Sequence, residues 1–326
     1  IFVKNLKIRK YKKGDEKGFF ALDRKIEEHK YNRRTISNFL WKYRGNNCFG
    51  KSINYFAEYD GQIIAHFAAI PLDWNLDSKN IKGGCSIAMM VSPEWQSKGL
   101  IKFVGDKVFD NLIKEKVKFV YGYPNERSYL LHKNIWNYKD AFNQNLYSIH
   151  NHKINITNQK NFFVIKIKKF NKSFDIFWKK NKKDYKNILN RTSKFLNWRY
   201  LKRPDKKYYP FLVYDGKELL GYFILKRFYN GKIKTIHIID MFFKNISQPK
   251  FNKLFKALFS YIKQKQKKFD NISIWINGSE KIRNSMLNLG FKVISSRKMI
   301  YKNLSNKKNL NLKKMYFTMG DTLEIY

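Results

Sequence analysis

The turn between Val91 and Ile101 is the stretch of this sequence whose residues could most readily do chemistry. It follows an apolar run, Ser86 to Val91, that predicts a short buried strand. The residues from Gly99 to about Lys116 carry apolar side chains at helical spacing and predict an amphipathic helix. A strand, a tight turn and a helix N-terminus direct several backbone N–H groups and the positive end of the helix dipole to one point. The turn therefore favours an anion, and a diphosphate fits best.

Gly99 is central to this interpretation of the turn. Because glycine has no Cβ, the backbone at Gly99 can approach a ligand closely. The alternative is an ordinary strand–helix turn that binds nothing, since a single glycine-containing turn is a weak motif.

The turn resembles the acyl-CoA-binding motif of the GNAT N-acyltransferases, in which Arg or Gln is followed by x-x-Gly-x-Gly or x-x-Gly-x-Ala. Gln96 and Gly99 match this motif, whereas Ile101 stands where Gly or Ala is usual. The larger side chain of Ile101 either narrows the approach to the pyrophosphate or packs inward from the first helical turn.

A second motif of the same family has counterparts further along the chain. Asn125 and Ser128 follow a predicted strand, as the family pattern requires. His132 stands where the family often has Tyr, and Ile135 replaces a Gly. The two motifs occur in the family's order, and the resemblance covers roughly residues 1–150.

The resemblance implies a role for each of these residues. It places the oxyanion donor on the backbone near Met90 and Val91, where a splayed strand exposes an N–H group. His132 is the candidate acid that protonates the leaving thiolate, with a histidine of no function as the alternative. The base is unidentified, although His66 and Glu58 lie on strands that flank the cleft in this family. The residues that the resemblance assigns to acyl-CoA are Val91, Gln96, Ser97, Lys98, Gly99, Leu100, Ile101, Asn125 and Ser128.

The second half of the sequence repeats features of the first. Phe56 to Gly61 is echoed by Phe211 to Gly216, and the segment from Asn125 to Trp136 by the one from Asn277 to Phe291. Echoes that recur in one order at an offset of about 155 residues indicate a tandem duplication. The second copy lacks the Gln-x-x-Gly turn, and Pro249 removes a backbone donor there. We expect this copy to be degenerate and to form the acceptor side.

The predicted fold class is therefore α/β, with two tandem GNAT-like domains. Each domain is expected to be a mixed, mostly antiparallel twisted sheet flanked by helices. The acyl-CoA-binding domain would span residues 1–155 and the degenerate domain residues 156–326, with a polar linker near His150–Asn161. A chain of 326 residues is long enough for two such cores.

Composition sets wider limits on partners and compartment. The formal net charge of +42 indicates either an anionic partner or a general preference for Lys and Asn, and the even spread of Lys favours the second. Nucleic acid is therefore not expected as the partner. The two cysteines indicate a reducing, cytoplasmic location and no metal site. No apolar run is long enough to predict a transmembrane helix or a signal peptide.

The sequence thus predicts an acyl-CoA-dependent N-acyltransferase, with acetyl-CoA as donor and a small amine as acceptor. The Trp198-Arg199-Tyr200 feature, which follows Phe195, and the closing Met319-Gly320-Asp321 resemble acyltransferases of bacterial surface-polysaccharide loci, which implies an amino sugar or a nucleotide-linked amino sugar. Two alternatives stay open. One is a peptidoglycan-type aminoacyl transferase that uses aminoacyl-tRNA, and the other is a non-catalytic binding module.

Overall fold

One large, mostly antiparallel sheet runs through the molecule, with helices packed on its faces. The structure is a computed structural model that describes residues 4–26, 35–44, 52–155, 161–266, 268–305, 310 and 312–323. The α/β class predicted from the sequence is confirmed.

The first half begins with two helices on a hairpin and ends with a long strand. Its elements, in chain order, are β1 (Leu6–Lys10), α1 (Asp15–Lys25), α2 (Ile36–Tyr43), β2 (Ile53–Tyr59), β3 (Gln62–Leu76), β4 (Lys79–Val91), α3 (Leu100–Lys114), β5 (Phe119–Gly122), α4 (Glu126–Trp136) and β6 (Lys139–His150).

The second half presents the same kinds of element in the same order, except for an added short strand, β8, between its first two helices, and then continues to a short C-terminal strand. Its elements are β7 (Phe162–Lys166), α5 (Lys172–Asn181), β8 (Asn187–Leu189), α6 (Ser193–Leu196) with a π-helix (Asn197–Leu201), β9 (Tyr209–Asp215), β10 (Glu218–Asn230), β11 (Ile233–Phe243), α7 (Gln248–Lys265), β12 (Asn271–Asn277), α8 (Glu280–Asn288), β13 (Lys292–Asn303) and β14 (Phe317–Thr318).

Strand order relates the two halves by symmetry. The main path of the sheet is β1-β2-β3-β4-β5-β13-β6-β12-β11-β10-β9-β7. The counterparts are β1 and β7, β2 and β9, β3 and β10, β4 and β11, β5 and β12, and β6 and β13. When each strand is replaced by its counterpart, the strand order reads the same from either end of the sheet. The hairpin β2–β3 starts at Ile53 and its counterpart β9–β10 at Tyr209, an offset of 156 residues. This arrangement is the one that a tandem duplication predicts, and duplication is our interpretation of it.

The centre of the sheet departs from the prediction that each domain has a sheet of its own. Strand β13 of the second half lies between β5 and β6, and β6 of the first half lies between β13 and β12. Each half thus completes the sheet of the other. Local sequence patterns do not predict this exchange, because either partner offers the same antiparallel hydrogen bonds.

The sequence from Gln62 to Pro71 predicts a strand, and β3 is longer than this prediction. It continues to Leu76 because Trp74 and Leu76 pair with Leu189 and Asn187 of β8. The sequence after Gly14 predicts a helix through about His29. Helix α1 is described as far as Lys25, and residues 27–34 lie outside the described residues.

The two faces of the first half carry different helices. Phe19 of α1 and Phe39 of α2 pack together on one face, with ring centroids 4.9 Å apart. Phe67 of β3 points to the other face, where its ring lies 5.5 Å from that of Trp136 on α4 and 5.9 Å from that of Phe109 on α3. Helices α1 and α2 are therefore separated from α3 and α4 by the sheet.

Candidate active site

A cleft opens in the sheet where β4 and β5 part. The two parallel strands pair only from Gly83 to Cys85 on β4, after which β4 continues to Val91 while β5 ends at Gly122. A cavity of about 880 Å³ lies at this opening and is lined by both strands and by α2, α3 and α4. A volume of this size is typical of small-molecule sites.

The turn into α3 forms one wall of the cavity. Gly99 precedes the helix in the left-handed conformation, with φ of 72°, and Ser97 also has a positive φ of 61°. No side chain caps the N-terminus of α3. The N–H groups of Leu100 and Ile101 therefore lack intrahelical acceptors and are available to an anionic ligand.

The structure adds a second reason for glycine at position 99. A Cβ there would meet no protein atom within 4 Å, so packing within the protein does not require glycine. The positive φ does favour glycine, because it costs an L-residue about 1–2 kcal/mol. The close approach of the Gly99 backbone to a ligand stays a prediction.

Ile101 packs inward from the first turn of α3, and it also borders the cavity. Its side chain is buried in the apolar cluster beneath α3, together with Leu100 and Val104. Lys98 does not line the cavity. Its ammonium instead lies 5.2 Å from the ring centroid of Trp95.

Gln96 shapes the turn through a hydrogen bond to β4. Its Nε2 donates to the carbonyl oxygen of Val91 at 3.1 Å. On the other side of the cleft, Asn125 caps α4 by accepting a hydrogen bond from the N–H of Ser128 at 2.8 Å. Gln96, Ser97, Asn125 and Ser128 all line the cavity, so the structure brings these predicted residues together.

The register of β4 decides which N–H group points into the cleft. Ser92 donates its N–H to the carbonyl oxygen of Ile64 on β3 at 2.8 Å. Backbone groups alternate in direction along a strand, so the N–H of Val91 points away from β3 and toward the opening. The N–H of Met90 points toward β3, where Met90 pairs with His66. Alternation therefore favours Val91 over Met90 as the predicted oxyanion donor.

A bulge in β4 lies directly before these residues. Phe67 of β3 faces two residues of β4, because the pairing shifts between His66 and Ala68. Ala88, within the bulge, has a positive φ of 53°. Bulges re-aim a strand and occur next to active sites.

His132 lies in the cavity wall on α4 and is 5% exposed. Its Nδ1–H donates to the carbonyl oxygen of Ser128 at 2.6 Å, and its ring packs 4.7 Å from the ring centroid of Tyr138. Burial lowers the pKa of His132 below its ordinary value of 6.5. The imidazole is therefore neutral at pH 7, and its role as the acid stays a prediction.

Neither of the suggested bases lines the cavity. His66 is fully buried, and its two ring nitrogens lie 2.7 Å from the oxygen of Ala88 and 2.8 Å from Oδ1 of Asn54. Glu58 lies outside the cavity on β2 and binds the guanidinium of Arg9, with 2.8 Å between Oε2 and Nε. Tyr129, near His132 on α4, donates its hydroxyl to Asp140 instead.

Sequence patterns missed one side of the cavity. Asn38 and Lys42 of α2 line it together with Arg203, Asp205 and Lys206 from the loop after the π-helix. The second half thus contributes directly to the site. The only signal in the sequence was the Trp-Arg-Tyr feature just before this loop, which has no chemistry specific enough to mark it.

The corresponding cleft in the second half is filled by the chain itself. Strand β14 pairs with β12 through Thr318 and Ile276, and the hydroxyl of Thr318 donates to Asp240 of β11 at 3.1 Å. Asp321 binds the guanidinium of Arg191 at 2.8 Å, and all these polar side chains are buried. The segment from Phe317 to Thr322 therefore occupies the space that is a cavity in the first half.

Comparison with known proteins agrees with this geometry. Residues 7–138 match the family model of the acetyltransferase (GNAT) domain. A GCN5-related N-acetyltransferase from Anabaena variabilis is similar in structure, with a TM-score of 0.70 and 14% identity over 92% of this chain and 73% of that chain. A conserved protein from Enterococcus faecalis has the same TM-score and coverage with 17% identity.

A third similar structure is N-myristoyltransferase from Saccharomyces cerevisiae with bound myristoyl-CoA. It has a TM-score of 0.62 and 11% identity over 97% of this chain and 85% of that chain. Identities this low show a shared fold.

Residues 7–138 thus match an acetyltransferase (GNAT) domain, and the chain as a whole shares the fold of the solved GCN5-related N-acetyltransferase. No curated protein matches the sequence. No helix among the described residues is long and apolar enough to cross a membrane.

Proposed function

We propose that this protein transfers an acetyl group from acetyl-CoA to a primary amine in the cavity between β4 and β5. The observation that carries the proposal is the uncapped N-terminus of α3 beside the opened strands, with the N–H of Val91 directed into the opening. An anionic pyrophosphate matches the first feature, and a developing oxyanion matches the second.

The amine nitrogen attacks the thioester carbon, so that a C–N bond forms while the C–S bond breaks. The nitrogen loses a proton, and the sulfur leaves as a thiolate that gains one. In this scheme Val91 stabilises the oxyanion, Gln96 holds the turn against β4, and Asn125 fixes the start of α4 beside the pantetheine arm. His132 is the candidate acid on that wall.

The proposed acceptor is an amino sugar or a nucleotide-linked amino sugar of bacterial surface-polysaccharide synthesis. The loop of the second half supports a small polar acceptor, because it places Arg203, Asp205 and Lys206 on the cavity wall. In this proposal residues 156–326 form the acceptor side and bind no acetyl-CoA of their own, since residues 317–322 fill the equivalent cleft.

The test is titration with acetyl-CoA by calorimetry, followed by an assay of thiol release with a panel of amino sugars. We expect one acetyl-CoA per chain and amine-dependent release of CoA thiol. Two equivalent sites would contradict the role given to the second half. A folded protein that binds no acetyl-CoA would overturn the proposed function.

A further inference from the structure

Basic side chains dominate the part of the cavity that faces away from the α3 turn. Lys42 is 3% exposed and Arg203 is 5% exposed, and Lys206 lies nearby on the same loop as Arg203. Asp205 is the single acidic residue on the described wall, and it binds Arg203 with 2.8 Å between Oδ1 and Nε. The Arg203 guanidinium outweighs the effect of burial and lowers the pKa of Asp205 to about 2. This wall therefore carries a net positive charge at neutral pH.

A buried hydrogen-bond donor lies among these charges. Asn38 is 4% exposed and precedes Lys42 by one helical turn, which places both side chains on the same face of α2. Its Nδ2 is buried and has no hydrogen-bond partner among the described residues. The amide lies close enough to Asp205 to help lower the pKa of that carboxyl. A buried donor in a cavity wall favours a ligand or a water that accepts from it.

The phosphates of the acetyl-CoA donor do not account for this group. The turn that suits the pyrophosphate belongs to α3, which packs on the face of the sheet marked by Phe67. Helix α2 packs on the opposite face, beside Phe19. The cationic side chains and the amide of Asn38 thus line the part of the cavity on the side of α2, apart from the α3 turn.

Charge and hydrogen-bonding capacity define the chemistry of that ligand. Lys42, Arg203 and Asn38 offer N–H donors, and the described wall carries three cationic side chains and one carboxylate, so its excess charge favours an anion. Phosphate and carboxylate groups supply both the negative charge and several acceptor oxygens.

We propose that the acceptor amine carries an anionic group, a phosphate or a carboxylate, that binds among Asn38, Lys42, Arg203 and Lys206. This inference rests on the acetyl transfer proposed above and narrows its substrate class. The amine of the same molecule then lies toward the opening where β4 and β5 part, and the anionic group fixes its orientation. A neutral amine lacks this anchor.

The experiment compares glucosamine with glucosamine 1-phosphate, glucosamine 6-phosphate and glucosaminic acid under saturating acetyl-CoA. One charge-assisted contact is worth roughly 1.5–3 kcal/mol, so we expect kcat/KM for at least one anionic acceptor to exceed that of glucosamine by about tenfold or more. Comparison of kcat/KM for the two sugar phosphates with that for glucosaminic acid shows whether the site prefers a phosphate or a carboxylate. Equal kcat/KM values for all four amines would overturn the inference while leaving the acetyl transfer intact.

Lys206→Gln removes one charge from the wall and keeps a long polar side chain. We expect the ratio of kcat/KM between anionic and neutral acceptors to fall about tenfold, through KM, with the Kd for acetyl-CoA unchanged. Lys202→Gln is the matched control, because Lys202 is an exposed residue of the same loop that does not line the cavity, and it should keep the wild-type ratio. A ratio equally reduced in both variants would contradict a specific anion site.

A binding measurement separates this inference from the proposed reaction. Calorimetry with the CoA-bound protein should show tighter binding of the preferred anionic amino sugar than of glucosamine, whether or not turnover occurs. Equal affinities would overturn the anion site. Absence of turnover with tighter anion binding would contradict the proposed function alone.

Discussion

The Nδ1 atom of His66 lies 2.7 Å from the carbonyl oxygen of Ala88 and ties the bulge of β4 to β3. The other ring nitrogen lies 2.8 Å from Oδ1 of Asn54 on β2, so one buried imidazole links three adjacent strands. The carbonyl of Ala88 can only accept, so Nδ1 carries the proton in this bond. His66 thereby holds the strand conformation that precedes Val91.

His66→Leu should disturb the chemical step more than donor binding. Loss of the bond to Ala88 releases the bulge and shifts the N–H of Val91, and displacement of an oxyanion donor costs about 10²–10³-fold in kcat. The Kd for acetyl-CoA, measured by calorimetry, should change little because the α3 turn is untouched. His66→Asn is the matched variant, since its amide can donate from the position of Nδ1 and should recover part of kcat. Equal kcat in the Leu and Asn variants would show that the bond does not position Val91.

Gly99→Glu should weaken acetyl-CoA binding by more than about 100-fold while the protein stays folded. The carboxylate would stand against the pyrophosphate in a space that is open in the structure, and like charges repel strongly at short range. Gly61→Glu is a close control, because Gly61 has a φ of 77° and equally open surroundings but lies in the hairpin turn between β2 and β3. Calorimetry should find wild-type affinity in this control, and the same value in Gly99→Glu would remove the proposed phosphate site.

The α3 turn could be predicted from sequence because its signals are local. An apolar strand, a glycine with positive φ and an apolar helical repeat lie within about thirty residues of one another. The same locality applies to Asp60-Gly61, where a turn pair between two strand patterns predicts the hairpin that β2 and β3 form.

The rest of the site depends on contacts between distant parts of the chain. Lys42 and Lys206 share a wall although 164 positions separate them, and no pattern within either segment predicts that meeting. The high overall content of Lys also hides the few basic residues that line a cavity. His66 was considered as a base because it lies on a central strand, whereas its partner Ala88 depends on a bulge that periodicity does not reveal.

Asp321→Ala should destabilise the protein by about 3–5 kcal/mol, because it leaves a buried arginine with one partner fewer. Asp321 and Arg191 are both fully buried, with 2.8 Å between Oδ2 and Nη2. Urea unfolding followed by circular dichroism measures the change. Glu280→Ala should alter the free energy of unfolding by less than about 0.5 kcal/mol, since Glu280 forms an exposed ion pair with Arg283.

A small effect of Asp321→Ala would mean that the segment filling the second cleft is not anchored by this pair. Calorimetry with acetyl-CoA on the same variant adds a second readout. A loosened segment that uncovered a working site would raise the stoichiometry above one per chain, whereas the missing Gln-x-x-Gly turn and Pro249 predict no change.

His132→Ala should lower kcat by about 10²-fold or more and raise the KM for acetyl-CoA much less, if the imidazolium protonates the leaving thiolate. The matched control is His152→Ala, because His152 is exposed in a 3-10 helix away from the cavity. Thiol release at saturating substrates measures kcat for both variants, and only the first should lose turnover.

The pH profile distinguishes an acid from a packing residue at position 132. An acid is active when protonated, so kcat of the wild type should fall as pH rises through the pKa of His132. Burial lowers that pKa, which places the midpoint of the fall below pH 6.5. His132→Ala should lose this limb, and His132→Gln should also lose it while keeping a polar side chain of similar reach. A limb that persists in both variants, with kcat reduced less than about threefold, would assign the proton to solvent or to another group and leave His132 a packing role beside Phe67 and Tyr138.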